Sequence, residues 1–430
     1  MRLGHADVTV IGAGVIGAAC ARELAKAGLK VAVVDRGPVG HGCSYGNAGW
    51  ITPCFALPLP MPGMMRKVVP WLLDGDSPLH IQPRPSGALA WWLGRFLRSM
   101  NETALRRSVA ALTELSRYSL AEYTRLNEES RGTLQLERRG LLLVAATDDG
   151  LSYALREKDL VGEHGIPGER LSERDARALE PAVVGDIRGA VYFPQEAHVE
   201  PLQAVRALMG HAQSHGTRVF PGAEVFDFRT GGGRITALRT TRGWLETDHV
   251  VLAAGTWSRT LGRKLGLRIP VLGGKGYAAV VAPFTPAPHI PIMLVEKKIA
   301  VTPRDRSIRL AGTLELVERD DGFSPRRFDA ILRGAAEYLA VPEDVEVREA
   351  WRGLRPCTPD GVPVIGRAES WENVTIATGH QMLGLQTAPA TGRLVADLVL
   401  EREPTFDPAP FRARRFQTPK KKREAALATA

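Results

Sequence analysis

Three glycines near the amino terminus are the first residues whose types and spacing could carry chemistry. Gly12, Gly14 and Gly17 form the pattern G-x-G-x-x-G. In this pattern the first glycine allows a tight turn, the second lets a pyrophosphate approach the backbone, and the third lets a helix pack closely on a strand. A helix that begins here presents free N–H groups and a partial positive charge to phosphates. The pattern predicts a dinucleotide site.

The residues around these glycines predict a β-α-β unit of Rossmann type. The β-branched run 8–11 indicates a buried strand, 18–27 a helix, and 30–35 a second strand that ends at Asp35. At this spacing from the glycines a carboxylate accepts hydrogen bonds from a ribose. A glycine-rich turn without a ligand is the weaker interpretation, because the strands, the helix and the carboxylate all agree with a nucleotide site.

The glycine pattern alone leaves both FAD and NAD open. Two further features favour FAD. The pattern lies at the extreme amino terminus, as is commoner in flavoproteins, and the predicted strand 249–253 is followed by Ala254, Gly255 and Trp257, where small residues let the chain pass close to a nucleotide. An NAD(P)-dependent dehydrogenase is the alternative class, and it would be colourless when purified.

Three polar side chains further along the chain are candidates for contact with a substrate. Arg355 lies in the constrained segment Gly-Leu-Arg-Pro, and a guanidinium can bind a carboxylate through a two-pronged pair of hydrogen bonds. The competing interpretation is a structural arginine paired with Asp360 or with a helix end. His380 and Tyr277 are the other two candidates; the alternatives are a backbone hydrogen bond for His380 and a packing role in a sheet for Tyr277.

Several stretches of the chain together resemble one family of flavoenzymes. They are VTVIGAGVIG at 8–17, VVDRG at 33–37, CSYGNAGWITP at 43–53, VVLAAGTWS at 250–258, GLRPCTPDGVPVIG at 353–366 and TGHQMLGLQTAPATGRLVADL at 378–398. They resemble the D-amino-acid oxidase superfamily, which includes glycine oxidase, sarcosine oxidase and D-amino acid dehydrogenase. The stretch at 43–53 is most similar to the D-amino acid dehydrogenase group. The resemblance extends over nearly the whole chain, to about residue 402.

The resemblance implies an α/β protein with a Rossmann-type FAD-binding domain and a discontinuous α+β substrate domain that contains a mixed sheet. We expect 1–60, 198–268 and 350–412 in the FAD-binding domain and 61–197 and 269–349 in the substrate domain. The segment 413–430 is expected to be a basic tail. The motifs and the resemblance together give these candidate cofactor-binding residues: Ile11, Gly12, Gly14, Val15, Ile16, Gly17, Asp35, Arg36, Ser44, Asn47, Ala48, Gly49, Val225, Ala254, Gly255, Trp257, Gly379, Met382, Leu383, Gly384 and Leu385.

The loop before the last helix carries two further expectations. We expect the helix to run over about 389–400, with Thr387 as its N-cap and Pro389 in its first turn. Its positive end would then point at the flavin edge that becomes negative on reduction. Met382 stands where glycine-oxidase-like enzymes carry a second arginine, which implies a more apolar wall. Cys357 does not match the position at which sarcosine-oxidase-like enzymes attach their flavin, so FAD is expected to be non-covalent.

The expected activity is FAD-dependent oxidation of a small amino acid, with D-proline, D-hydroxyproline and D-alanine as the types considered. Hydride transfer from Cα to flavin N5 would give an imino acid, and Arg355, Tyr277 and His380 are the predicted catalytic residues. The expected electron acceptor is a quinone or a carrier protein. The alternatives are an oxygen-using amine oxidase like glycine or sarcosine oxidase, and a non-catalytic flavin-binding subunit.

Composition narrows the remaining classes of partner. The chain has 430 residues, of which 44% are hydrophobic and 24% charged, and a formal charge of +9. Seven lysines and arginines but one acidic residue lie in 411–430, so most of this charge is in the tail and nucleic-acid binding is not expected. The four cysteines lack zinc-site spacing, so a reducing compartment and no metal are expected.

The expected location is the cytoplasm, since the sequence shows neither a signal pattern nor an apolar run long enough to cross a bilayer. The stretch 89–100 interleaves aromatic and leucine residues with Arg95 and Arg98, which suggests peripheral contact with the inner face of a membrane. A helix packed on the protein core is the alternative for this stretch. The oligomeric state cannot be read from the sequence.

Overall fold

A computed structural model describes residues 2–63, 79–81, 86–318 and 322–416. The strands in this part of the chain are β1 Arg2–Ile11, β2 Val31–Asp35, β3 Trp50–Ile51, β4 Leu79–Ile81, β5 Leu141–Ala145, β6 Glu169–Leu171, β7 Gly189–Phe193, β8 Ala197–His198, β9 Arg218–Pro221, β10 Val225–Gly231, β11 Arg234–Thr240, β12 Gly243–Leu252, β13 Leu272–Val281, β14 Ile292–Leu294, β15 Ile299–Arg304, β16 Ser307–Val317, β17 Val347–Cys357, β18 Val364–Arg367 and β19 Val374–Thr378. The α-helices are α1 Val15–Lys26, α2 Gly87–Arg98, α3 Glu102–Glu129, α4 Asp148–Gly162, α5 Glu173–Leu179, α6 Pro201–Ser214, α7 Ser258–Lys264, α8 Pro325–Ala336 and α9 Gly384–Val399. None of these helices combines the length and the apolarity that crossing a membrane requires.

The first large sheet is built around the predicted β-α-β unit. Its eight strands follow the order β10-β11-β12-β1-β2-β9, and β19 pairs with β12 and β18. The central strands β9, β2, β1, β12 and β19 run parallel. Parallel strands covered on both faces need apolar side chains in continuous runs, and the buried valines of β1 and β2 meet this requirement. The order and the parallel pairing confirm the Rossmann-type half of the predicted fold.

Small residues let helix α1 lie close to its neighbours in this half. A Cβ on Gly17 would overlap the carbonyl group of Gly12, and a Cβ on Gly392 would lie 2.6 Å from the carbonyl carbon of Ala19. The contact between Gly17 and Gly12 lets α1 pack closely against the end of β1, and the contact between Gly392 and Ala19 lets α9 pack closely against α1. Helix α6 packs against α1 in the same apolar cluster. The close packing fixes the amino-terminal ends of α1 and α9 at the same edge of the sheet.

The second large sheet is mixed, as predicted. Its nine strands follow the order β17-β13-β16-β15-β14-β5-β7-β6, with β4 paired to β16. Pairs β14–β5 and β16–β4 are parallel and the others are antiparallel. Helix α8 covers one face. The sheet includes β17, so residues 350–357 belong to it by pairing, although the sequence analysis assigned them to the nucleotide-binding half.

Two boundaries of helices depend on side-chain hydrogen bonds. Helices α2 and α3 are separate, because the side chain of Asn101 caps α3 by accepting from the Ala104 N–H. The last helix begins at Gly384 and not near Pro389, which lies inside it. Proline has no N–H to donate to the carbonyl four residues earlier. The Tyr123 hydroxyl donates to that carbonyl, of Leu385, at 2.9 Å, and this bond explains why the helix tolerates the proline.

Buried histidines predict a loss of stability in mild acid. Burial lowers the pKa of His249 from about 6.5 to about 4, and its Nε2 lies 2.9 Å from Thr375 Oγ1 across β12 and β19. The unfolded chain therefore binds a proton between pH 6.5 and 4 that the folded chain does not, so stability falls as the pH decreases through this window. At pH 5 we expect a cost of about 2 kcal/mol for this histidine.

Urea unfolding at pH 7 and pH 5 measures this cost. The His249→Gln variant should lose about 2 kcal/mol less than the wild type between the two pH values. His215→Gln, at an exposed position at the end of α6, is the control and should follow the wild type. An equal loss of stability in wild type and His249→Gln would contradict the prediction.

Candidate active site

A cavity of about 590 Å³ is lined by residues of both large sheets. The first sheet contributes the glycine turn after β1, the end of β2 and the turn after β12. The loop 36–48 and the start of α9 close two of its sides, and the second sheet contributes residues of β14 to β17. A cavity of this kind, lined mostly by apolar side chains with a few polar groups, is typical of a cofactor and substrate site.

The glycine turn has the geometry that its sequence predicts. Gly12 has φ +113°, a value that side chains rarely tolerate, and a Cβ there would lie 2.8 Å from the carbonyl carbon of Ala253. Gly14 and the N–H of Val15 face the cavity side of the turn, where Ser44 Oγ accepts from Val15 N at 3.0 Å. The turn therefore presents mainly backbone to a ligand, and the Ser44 hydroxyl lies beside it.

Asp35 lies at the end of β2 and lines the cavity. Its carboxylate accepts from Ala13 N at 2.7 Å and from Gly37 N at 2.8 Å. Each carboxylate oxygen can accept a second bond, so these contacts orient the group and leave capacity for a ribose hydroxyl. Beside it the Arg36 guanidinium lies 3.7 Å from the centre of the Trp257 ring, and both residues line the cavity.

Loop 43–49 and the loop before α9 are joined by one side chain. Asn47 Nδ2 donates to the carbonyl of Met382 at 3.1 Å, and its Oδ1 accepts from Gly49 N at 2.9 Å. Ala48 and Met382 line the cavity. Gly49 does not line it; with φ +90° it lies against the Val199 carbonyl and positions the loop.

Helix α9 directs its amino-terminal end into the cavity. Leu383, Gly384 and Leu385 line the wall at the start of the helix. The unsatisfied N–H groups of a first turn carry a partial positive charge. The expected dipole is therefore present, but it starts at Gly384, since Thr387 Oγ1 donates back to the Leu383 carbonyl and does not cap the helix.

Two residues of this wall each have a buried polar atom without a hydrogen-bond partner in the described part of the chain. His380 Nδ1 and Gln381 Nε2 have no hydrogen-bond partner among the described residues. His380 Nε2 bonds to Thr391 Oγ1 at 3.0 Å, and burial lowers the pKa of His380 to about 3. His380 is therefore neutral and a poor base at neutral pH. Buried polar groups without partners are costly, so these two atoms indicate a polar ligand at this wall.

Arg355 is a partly buried cation, and it has no carboxylate partner in the described part of the chain. Its guanidinium lies over Gly276 on the neighbouring strand and donates to the carbonyls of Thr313 at 2.6 Å and Gly312 at 3.3 Å. Asp360, the alternative partner, is bound by Arg415 at 2.6 Å. Burial lowers the pKa of Arg355, and its residue lines the cavity. The site therefore holds a fixed positive group that a ligand carboxylate can neutralise.

Tyr277 does not lie in the cavity, contrary to the prediction. Side chains alternate along a strand, so Gly276 and Ala278 lie on one face of β13. The Arg355 guanidinium covers Gly276, and Ala278 packs with Met293 and Ala300, which line the cavity. Tyr277 therefore faces the opposite side with Ala279, packs edge-on against Phe323, and accepts from Ser324 N at 3.2 Å. Its packing role in the sheet was the alternative interpretation.

Most of the other predicted residues line the cavity, and three do not. Gly17, Gly49 and Gly379 are absent from its wall and act on the backbone that shapes it. The sequence did not indicate Cys43 of loop 36–48, nor several residues that the second sheet, its turns and helix α4 contribute to the wall; these are Tyr153, Glu157, Met293, Lys298, Ala300, Trp351 and Leu354. Strand alternation next to Arg355 could have indicated Trp351, but no local pattern indicated the others.

Comparisons with known proteins agree with this geometry. Residues 7–398 match the family described as FAD dependent oxidoreductase (DAO). The D-amino acid dehydrogenase of Cereibacter sphaeroides is 32% identical, with 98% of each chain covered. That of Paramagnetospirillum magneticum is 34% identical, with 92% of this chain and 95% of the relative covered.

Solved structures share the fold. Glycine oxidase from Geobacillus kaustophilus has a TM-score of 0.76 and 28% identity, and covers 95% of this chain and 98% of its own. L-proline dehydrogenase from P. horikoshii has a TM-score of 0.77 and 19% identity, and covers 96% and 98%. The predicted fold class and the FAD cofactor are confirmed, and the glycine turn, the orphaned polar atoms and the helix end fit this cofactor. The chain belongs to the FAD dependent oxidoreductase family.

Proposed function

We propose that this protein oxidises small D-amino acids at the Cα–N bond and passes the electrons to a quinone or a carrier protein. One observation carries the proposal: Arg355 is a partly buried, oriented cation in the cavity that would hold FAD, and no carboxylate among the described residues pairs with it. The relatives named D-amino acid dehydrogenase support the D-configuration and an acceptor other than oxygen. The substrate class is thus an α-amino carboxylate.

The protein's own groups would bind and orient the substrate. The carbonyls of Gly312 and Thr313 hold the Arg355 guanidinium, so that its remaining N–H groups can pair with the substrate carboxylate. FAD held by the glycine turn, Asp35 and the start of α9 would supply a two-electron oxidation, in which the Cα hydrogen leaves with its electron pair and the nitrogen lone pair forms the C=N bond. Since His380 is a poor base, we infer that the substrate ammonium loses its proton to solvent. Water then converts the imino acid to a 2-oxo acid and ammonia.

An anaerobic panel of D- and L-amino acids tests the proposal. We expect D-amino acids to bleach the visible flavin band and a soluble quinone to restore it faster than oxygen does. Bleaching by L-amino acids alone, or by none of the panel, would overturn the proposal. Reoxidation by air at the quinone rate, with one peroxide per turnover, would instead favour the glycine- or sarcosine-oxidase-like alternative.

We predict that FAD is held non-covalently. Burial raises the pKa of the Cys43 thiol to about 11 and that of the Cys357 thiol to about 12, so both are protonated and weakly nucleophilic at neutral pH. Cys357 also lies outside the cavity wall. Acid precipitation should release the yellow colour into the supernatant. Colour that stays in the pellet after washing would show a covalent bond.

We propose peripheral contact of helix α2 with an anionic membrane surface, where a quinone acceptor would be available. The helix buries Trp92 and Phe96 but leaves Trp91 44% and Leu97 48% exposed. Arg95 donates to the carbonyl of Phe416 at 2.9 Å, and the sequence 420–423, which lies outside the described residues, is basic. An exposed aromatic face interleaved with arginines is typical of interfacial binding.

Sedimentation with lipid vesicles tests this contact. The wild type should sediment with vesicles that contain phosphatidylglycerol and remain in solution with phosphatidylcholine alone. The double variant Trp91→Ser/Leu97→Ser should lose most of this binding, whereas Phe226→Ser, at an exposed site on β10, should not. Equal sedimentation of the double variant and the wild type would contradict the proposed surface.

A further inference from the structure

The cavity extends across the second sheet away from Arg355. A row of residues pairs in register from β14 to β17; its members are Met293, Ala300, Ala311, Ala278 and Trp351. The alanines leave space along this row. The Arg355 guanidinium rests on the carbonyls of β16, and β14 lies two strands further on, about 10 Å away at ordinary strand spacing. A substrate side chain can therefore extend along the row towards β14.

A cluster of polar groups lines the cavity at this second end. Tyr153 and Glu157 extend from helix α4, and Lys298 lies in the turn between β14 and β15. The Lys298 ammonium lies 3.8 Å from the centre of the Tyr153 ring, and the Tyr153 hydroxyl donates to Met61 Sδ at 3.2 Å. None of the three belongs to the motifs that bind the nucleotide. They form a polar end to an otherwise apolar passage.

Glu157 is a buried carboxyl group with one oxygen unsatisfied. The residue is 2% exposed, and its Oε1 has no hydrogen-bond partner among the described residues. A buried charged acceptor without a partner is destabilising unless a ligand supplies a donor. Burial raises the pKa of Glu157, and Lys298 and the Tyr153 hydroxyl, which favour the charged form, offset this effect only in part. In that form the group can only accept hydrogen bonds.

We propose that this end of the cavity selects substrates whose side chain ends in a neutral hydrogen-bond donor, an amide or a hydroxyl group, with Glu157 as the acceptor. This proposal rests on the proposed function, because it assumes that the substrate carboxylate lies at Arg355. The charges of Glu157 and Lys298 compensate each other. A cationic side chain would add an uncompensated charge beside Lys298, and an aliphatic one would leave Oε1 without a partner.

Reduction of the flavin by D-asparagine and by its apolar isostere D-leucine tests the selectivity. Under anaerobic conditions we expect kcat/KM for D-asparagine to exceed that for D-leucine about tenfold or more, because sites built for a polar group reject analogues that lack it. In Glu157→Leu this ratio should fall at least about tenfold, with FAD content unchanged. Asp159→Asn, on the exposed side of the same helix, is the matched control and should keep the wild-type ratio.

Further measurements separate a failure of this proposal from a failure of the proposed function. If Glu157→Leu does not fold, Glu157→Gln serves instead; its neutral oxygen still accepts, so the ratio should fall severalfold without vanishing. Faster reduction of the flavin by D-lysine than by D-asparagine would overturn the proposed preference for a neutral side chain. An unchanged ratio in both Glu157 variants, with flavin still reduced, would overturn the role of Glu157 alone. No reduction by any D-amino acid would instead refute the proposed function.

Discussion

Replacing Arg355 with glutamine is expected to lower kcat/KM for D-amino acids on the order of 1,000-fold, while FAD stays bound. The guanidinium is partly buried and donates on one side to the carbonyls of Thr313 and Gly312, which leaves its other N–H groups for the substrate. Truncating one partner of a buried, hydrogen-bonded charge pair costs about 2–5 kcal/mol. Lysine keeps the charge but not the two-pronged geometry, so Arg355→Lys should lose about 100-fold.

A substrate that lacks the carboxylate separates binding from a structural role of Arg355. The wild type should prefer D-alanine strongly over D-alanine amide, and Arg355→Gln should lose most of this preference. Arg348→Gln, at an exposed position of the same strand, is the control and should keep it. If Arg355→Gln loses activity on both compounds equally, Arg355 stabilises the fold of the site and does not bind the substrate carboxylate.

Replacing Gly12 with alanine is expected to abolish FAD retention almost completely. The new Cβ would lie 2.8 Å from the Ala253 carbonyl carbon and would also strain a residue at φ +113°. Neither group can move easily, because both are backbone at the ends of the paired strands β1 and β12. The purified variant should be colourless, and it should unfold at a lower temperature because bound FAD no longer stabilises it.

A second glycine provides the matched control for this prediction. Gly210 lies inside helix α6, and a Cβ there meets nothing within 4 Å. Gly210→Ala should therefore retain FAD and gain about 1 kcal/mol of stability from its higher helix propensity. Wild-type flavin content in Gly12→Ala would contradict the assigned nucleotide turn. Loss of flavin in both variants would point to a general effect of the substitutions.

The sequence predicted those parts of the site that depend on local geometry. The tight turn at Gly12, the carboxylate at Asp35 and the loop at Gly384 are specified by residues close in the chain, and their motifs carry over from relatives. Arg355 was also predicted, but from its neighbours 353–356 and the resemblance. Its actual support, the carbonyls of Gly312 and Thr313, comes from a strand about forty residues away.

The parts that the sequence did not predict depend on pairing between distant strands. Whether Tyr277 faces the cavity is decided by the register of β13 against β16, which shifts between Lys275 and Tyr277. Helix α9 starts at Gly384, before the predicted start near Pro389, because the Tyr123 hydroxyl on α3 donates to the carbonyl that Pro389 leaves without a donor. The local sequence around Glu157 predicts only a charged residue on an amphipathic helix. Its place in the cavity wall depends on how α4 packs over the second sheet.

A binding titration that needs no turnover tests directly whether Arg355 anchors the substrate carboxylate over FAD. D-lactate has the carboxylate of a D-amino acid but no amino group, and a ligand bound above the flavin changes its visible spectrum. We expect a saturable spectral change in the wild type and in Arg348→Gln, and a dissociation constant raised at least about 100-fold in Arg355→Gln with full FAD content. The same dissociation constant in all three proteins would show that Arg355 does not anchor the acid group over FAD, and would contradict the account.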